Sequence, residues 1–147
     1  MLKITWKLNK INIWNNNDPL LETHSDQRGI ISDIFYNMDI NHVAMINSKA
    51  GVHRGDHYHK KTTQYTLIIK GKLEYWSKDI NSDESSKFII MEEGDLIVSP
   101  PFIVHSFKML TDNQMMVFTI GERGGKDYEK DTYREEKSII GSGFFDA

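Results

Sequence analysis

Two histidines stand one residue apart at His57 and His59, behind an Arg54-Gly55 step and ahead of the apolar run at Leu67, Ile68 and Ile69. Side chains two apart on a strand share a face, so this spacing aims both imidazoles into one cavity and turns Tyr58 the other way. Imidazole titrates near neutral pH, and two of them on one face can take a proton from a substrate carbon and return it. That chemistry needs no redox cofactor. A single histidine on an apolar face is more often a structural residue than a functional one; a His-X-His pair is less easily dismissed.

The elements that must hold this pair are short strands. Residues 1–14 alternate Ile4, Trp6 and Leu8 with Lys3, Thr5 and Lys7, which predicts a strand ended by the turn residues Asn15 to Pro19. An amino-terminal strand gains little alone, so it is expected either to pair across a dimer or to form an edge of its own sheet. Ser25 to Gly29 reads as a tight turn into a strand through IISDIFY, and further strands are expected at 42–47, 63–69, 72–77, 87–91, 95–98, 104–108 and 115–120. Short strands separated every eight to twelve residues by turn residues predict an all-β sandwich or barrel. No internal repeat, domain boundary or amphipathic helix interrupts the series. The segment 121–147 is charged with interspersed tyrosines and is expected to be a solvated terminal tail, with a substrate lid as the alternative.

Composition narrows the classes. The 147 residues suit a single domain with one core, 1–147, its centre at about 25–120. Hydrophobic residues at 39% and charged residues at 27% describe a globular chain. The formal charge of −3 argues against a nucleic-acid binder, so any anionic ligand must meet local positive charge. Cysteine is absent, which removes disulfides and thiolate chemistry. The first residues lack the apolar core of a signal peptide, and no stretch reaches the roughly 18 apolar residues of a membrane span, so a cytoplasmic protein without a membrane partner is expected.

The spacings resemble the two signature motifs of the cupin superfamily. Gly51, His57, His59 and Gly71 fall in the first, with Gln64 where an acid is usual; Gly94, Pro100 and His105 fall in the second, with Phe102 and Met109 in place of a glycine and an asparagine. The resemblance implies a cupin jelly-roll barrel, the double-stranded β-helix, and a homodimer. Within it, RGDHYHKKTTQ is similar to the corresponding stretch of nucleotide-sugar 3,4-ketoisomerases. SDQRG resembles a turn these enzymes share with dTDP-4-dehydrorhamnose 3,5-epimerases, and PPFIVHSFKMLTDNQMMVF resembles a strand pair of both groups. The epimerases carry an acid tyrosine thirteen residues beyond the second-motif histidine; here that residue is Phe118. Their lysine just beyond the glutamine is also missing, since Tyr65 and Thr66 follow Gln64.

The resemblance therefore implies isomerisation: a nucleotide diphosphate 4-keto-6-deoxy sugar loses its C3 proton, and the enediol regains one at C4, in surface-polysaccharide synthesis. His57 and His59 are the expected catalytic pair. Arg54 is expected on the diphosphate, which a guanidinium fits bidentately. Arg28 and Gln64 are further substrate-binding candidates, a structural salt bridge being the equal alternative for Arg28. At most one of Lys60 and Lys61 is expected to face the cavity. A second reading takes His57, His59, His105 and Gln64 as ligands of a divalent transition metal, Zn, Ni, Fe or Mn, supporting metal-dependent epimerase, lyase or dioxygenase chemistry. A third is a non-catalytic sugar-binding cupin, against which the retention of three histidines counts. His24, His42 and His53 lie outside both motifs and read as surface or structural residues.

Overall fold

The computed structural model describes residues 9–16 and 18–141. The strands are β1 (Lys10–Asn12), β2 (Thr23–Asp26), β3 (Gly29–Ser32), β4 (His42–Ser48), β5 (His53–Tyr58) and β6 (Thr63–Lys70). They continue as β7 (Lys72–Asp79), β8 (Lys87–Glu92), β9 (Asp95–Ser99), β10 (Ile103–Met109), β11 (Asn113–Ile120) and β12 (Tyr133–Arg134). One sheet runs β1-β9-β6-β11-β4 and the other β12-β5-β10-β7-β8, with β2 and β3 as a separate hairpin. The two five-stranded sheets form the cupin jelly roll expected from the sequence. The strand bounds of β4 and of β6 to β11 agree with the alternation within a residue or two, whereas β5 ends at Tyr58 and leaves His59 just beyond the strand that was expected to carry both histidines.

Inward-facing residues of both sheets build the core. Ile68, Leu73, Tyr75, Met91, Ile97, Phe107, Met109 and Met115 form one cluster, each contributing on the order of 1.5–3 kcal/mol by leaving water. The Tyr75 hydroxyl, buried among them, is satisfied by Ser99 Oγ at 2.7 Å. Gly71 turns β6 into β7 at φ +96°, and a Cβ there would stand 2.4 Å from the Asp112 carbonyl oxygen, so the hairpin requires glycine.

Two expectations are corrected, and the described part of the amino-terminal strand takes one of its two expected places. The described part of the amino-terminal strand, Lys10–Asn12, pairs antiparallel with β9 of its own chain; residues 1–8, with Ile4, Trp6 and Leu8, lie outside the described residues. The strand through IISDIFY ends at Ser32. Ile34 and Phe35 turn onto the outer face of the first sheet, where the Phe35 ring meets Tyr65 and Phe118 edge-on at 5.1 and 4.8 Å. The described part of the tail, 121–141, is not simply a solvated segment: β12 extends the second sheet alongside β5, and Ile139 is buried against Trp76 and Val104.

Candidate functional site

Sequence and backbone together aim His57. Across β5 and β10, His105 stands opposite His57 and Ser106 opposite Gly55, leaving Asp56 as an extra residue in a bulge. Asp56 adopts φ +56° and Gly55 φ +105°, and a Cβ on Gly55 would lie 2.6 Å from the His105 carbonyl oxygen. A bulge of this kind bends its strand and re-aims the next side chain. The RGD step before the His-X-His pair thus turns His57 toward His105.

The three histidines form one buried group. Ring centroids lie 5.1 Å apart for His57 and His59, 4.7 Å for His57 and His105 and 5.2 Å for His59 and His105. One ring nitrogen from each falls within 4.8 Å of the others. His59 Nδ1 donates to the Asp131 carbonyl oxygen at 2.8 Å, and His105 Nδ1 donates to the Ile103 carbonyl oxygen at 3.2 Å. A carbonyl oxygen only accepts, so each Nδ1 carries the proton and each Nε2 presents a lone pair. Both Nε2 atoms are buried without a hydrogen-bond partner, as are His57 Nδ1 and Gln64 Oε1.

Burial sets the protonation. Desolvation, followed by the neighbouring charges of His105, His59, Arg123 and Arg134, pushes His57 down to about 2. Desolvation and then His59 push His105 down to about 3, against its bond to Ile103. His59 is also lowered, again mainly by desolvation, although its bond to Asp131 works the other way. At neutral pH the group is three neutral imidazoles.

These residues fit a divalent metal. Buried nitrogen lone pairs converge, two of the histidines are oriented by backbone carbonyls in the manner of metal-bound imidazoles, and an unpartnered amide oxygen lines the same cavity. Such a set leaves room for water or substrate at a further position, as catalytic three-histidine sites do.

The cavity above them holds about 250 Å³. His42, His53, Arg54, His57, Gln64, Tyr128 and two further arginines, Arg123 and Arg134, bring polar groups to its wall, and no Asp or Glu lines it. A larger, open depression lined by Lys49, Lys70 and Asp112 shares no residue with it. Arg54 lines the cavity wall, its Nε donating to Ser48 Oγ at 2.7 Å. Arg28 does not: it is exposed in the β2–β3 hairpin and clasps Asp26 with Nη2 at 2.7 Å. Neither Lys60, which lies over the Tyr133 ring at 4.1 Å, nor Lys61, paired with Glu122, lines the cavity.

Phe118 corrects the argument built on it. In β11 it is Met115 and Val117 that line the cavity, whereas Phe118 packs outside against Phe35. The phenyl ring is therefore no substitute for an acid inside the barrel; the cavity's tyrosine is Tyr128, supplied by the tail. His42, His53, Arg123, Tyr128 and Arg134 were not singled out as site residues by sequence. The His42 and His53 positions were legible only as loop-to-strand starts, and the other three depend on how 121–135 folds back.

Phe102 explains another motif departure. It sits at φ +66°, the backbone region that makes glycine usual there, and its N–H donates to the His59 carbonyl oxygen at 2.7 Å. That bond ties the β9–β10 turn to the end of β5.

Residues 24–133 match the family of the polysaccharide biosynthesis C-terminal domain, and the chain belongs to that family. It is 24% identical over 111 residues to a UDP-2-acetamido-2,6-beta-L-arabino-hexul-4-ose reductase of Pseudomonas aeruginosa, a match covering 75% of this chain and 30% of the relative. Among solved structures it is similar to CapF, a capsular polysaccharide assembling protein of Staphylococcus aureus, with a TM-score of 0.58 and 22% identity over 78% of this chain and 34% of that one. It is also similar to QdtA, a sugar 3,4-ketoisomerase of Thermoanaerobacterium thermosaccharolyticum solved with TDP, with a TM-score of 0.64 and 20% identity over 92% and 94%. The chain thus spans about a third of the length of the Pseudomonas reductase and of CapF, and nearly all of the ketoisomerase. At these identities the structural likeness is one of fold. Among the described residues no helix is long and apolar enough to cross a membrane.

Proposed function

We propose that this chain isomerises a nucleotide-linked keto sugar in surface-polysaccharide synthesis by moving a proton beside the keto group. The observation that carries this reading is the meeting of His57 with His59 and His105 in one buried group with unpartnered nitrogens, at the wall of a carboxylate-free cavity that His57, Gln64 and three arginines line. The arginines suit a diphosphate, Arg54 foremost. Likeness to a ketoisomerase that binds TDP, and membership of a polysaccharide-biosynthesis family, support the substrate class.

The C3–H bond of a 4-keto sugar is weakened by the adjacent carbonyl. Its electron pair becomes the C3–C4 double bond, the proton goes to a neutral imidazole of the His57–His59 pair, and the carbonyl oxygen takes up a proton to give the enediol. Return of a proton to C4, with loss of the C3 hydroxyl proton, leaves the carbonyl at C3. The ring centroids of the three imidazoles lie within 5.2 Å of one another, and acid and base acting from one side of a sugar would favour shifting the carbonyl over inverting a centre. Positioned groups of this kind contribute about a hundredfold to ten-thousandfold each.

A second reading is favoured by the two ligand-like histidine tautomers. His57, His59, His105 and Gln64 would then hold a divalent transition metal, which when bound supplies Lewis-acid polarisation of a substrate oxygen. Tyr128, His42 and His53 are the cavity groups left to carry protons in that case. The expected homodimer belongs to the proposal as well, and light scattering on the purified chain tests it.

Elemental mass spectrometry of the purified full chain, before and after chelation, separates the two chemistries. Incubation with TDP- and UDP-4-keto-6-deoxy sugars in deuterium oxide tests the function itself. Deuterium at the carbon beside the keto group is the expected result; a sugar recovered unlabelled from both would overturn the proposal.

A further inference from the structure

Arg123 is a cation placed where a protein rarely leaves one without a partner. Its residue is 7% exposed. The Nε–H donates to the Tyr128 carbonyl oxygen at 3.0 Å, and the guanidinium lies over the Tyr128 ring at 4.2 Å. Among the described residues no carboxylate pairs with it, and its four Nη N–H groups make no hydrogen bond. Taking such a charge out of water costs several kcal/mol unless an anion answers it. The chain invests backbone in the placement: Gly124, at φ +151°, passes so close to His42 that a Cβ would lie 2.7 Å from the imidazole. Arg123 is thereby carried into the cavity that His57 and Gln64 also line.

Its depth distinguishes it from the other arginines. Arg54 is engaged with Ser48 and Asn47, and Arg134 is held bidentately by Glu129 at 2.8 and 2.9 Å. The charge of Arg123 is felt by all three histidines, that of Arg134 by His57 alone. Arg123 therefore stands beside the reacting end of the cavity.

We propose that Arg123 is a catalytic residue that holds the substrate oxygen on which negative charge develops, the keto oxygen of the sugar as it becomes an enediolate. This rests on the keto-sugar reading of the site. As the C–H bond beside the carbonyl breaks, its electron pair forms the C=C bond, the carbonyl π pair passes to oxygen, and the proton passes to a neutral imidazole of the histidine group. The oxygen accepts two charge-assisted N–H bonds from the guanidinium, in a cavity that no carboxylate lines to compete for them.

Oxalate, a planar anion with adjacent oxygens like those of an enediolate, probes the assignment without the unidentified substrate. Calorimetric titration of the chelator-treated full chain should show binding that Arg123→Met weakens about tenfold to a hundredfold. Arg123→Lys, which keeps the charge and loses the fork, should fall between the two, and Lys87→Met on the distant β8 edge should bind as the parent does. Near-ultraviolet circular dichroism checks that the Met variant folds; if it does not, the Lys variant carries the comparison. An unaltered oxalate affinity in a folded Arg123→Met, or no binding by the parent, would overturn the assignment. With a keto sugar that exchanges deuterium, Arg123→Met should lower kcat with little change in KM, because the contact strengthens as charge develops; a change in KM alone would also overturn it. Oxalate binding that depends on Arg123, joined to a failure of every keto nucleotide sugar to exchange, would leave the anion site standing and remove the keto-sugar reading.

Discussion

Asp131 fastens the carboxy-terminal segment to His59 through its carbonyl and to the three residues that follow through its carboxylate. The carbonyl oxygen accepts from His59 Nδ1 at 2.8 Å, while the carboxylate accepts the backbone N–H groups of Lys60, Lys61 and Thr62 at 2.8–2.9 Å. Burial works to raise its pKa, and these donors outweigh it, so the group is held below the usual carboxylate range. Asp131→Ala should cost about 2–3 kcal/mol by denaturant unfolding, since hydrogen bonds to a charged group are the strong ones. Asp131→Asn should cost less, because asparagine tolerates the φ of +51° and keeps one acceptor oxygen. An alanine variant as stable as the parent would show that the clasp contributes nothing.

Gly55 should not accept a side chain. An added Cβ meets the His105 carbonyl oxygen at 2.6 Å, and the backbone there lies at φ +105°. Gly55→Ala is expected to lose about 2 kcal/mol or more of stability and, with it, the bulge that turns His57 toward His105. Unchanged activity and melting temperature would show that the bulge tolerates alanine.

Gln64→Glu should couple stability to metal more tightly than the parent does. The added carboxylate supplies a negative ligand where the amide is neutral, but without a cation it is a buried charge. The melting temperature of the variant should be lower than the parent's in chelator and should rise further with added zinc. Equal zinc responses in both proteins would argue that Gln64 lies outside the coordination sphere.

Low pH should destabilise the metal-free protein. His57 and His105 are held at about 2 and about 3, whereas in the unfolded chain they return to about 6.5. Between pH 6.5 and 3 the unfolded state binds protons that the folded state refuses, so stability falls as pH falls, by up to about 1.4 kcal/mol per pH unit for each group. His105→Asn should flatten that slope in urea titrations repeated across the range. A parent slope no steeper than the variant's would place the acid sensitivity elsewhere.

The barrel was legible because period-two alternation and turn residues are local signals. β6 through β11 follow from them, and the meeting of His57, His59 and His105 is what the resemblance to the cupin motifs implied. What could not be read is what depends on return of the chain across long distances. Arg123, Tyr128 and Asp131 sit in a polar run whose composition describes a solvated tail; the hydrogen bonds of Asp131, the pairing of β12 and the burial of Arg123 and Ile139 show otherwise. Phe118 illustrates a different loss: counting from His105 gives a position, but the face of β11 is set by the register of its pairing with β4 and β6. Lys10–Asn12 could pair within or across chains, and no local pattern decides between them.

The segment from Arg123 to Arg134 has a further consequence for proteolysis. It supplies three side chains to the cavity wall and is joined to the barrel chiefly by Asp131 and the two-residue β12. A sugar nucleotide gripped between this segment and β5 would bridge stretches of chain some seventy residues apart, acting as a temporary cross-link. Occupancy of the cavity and resistance of the carboxy-terminal segment to cleavage are therefore two readings of one equilibrium.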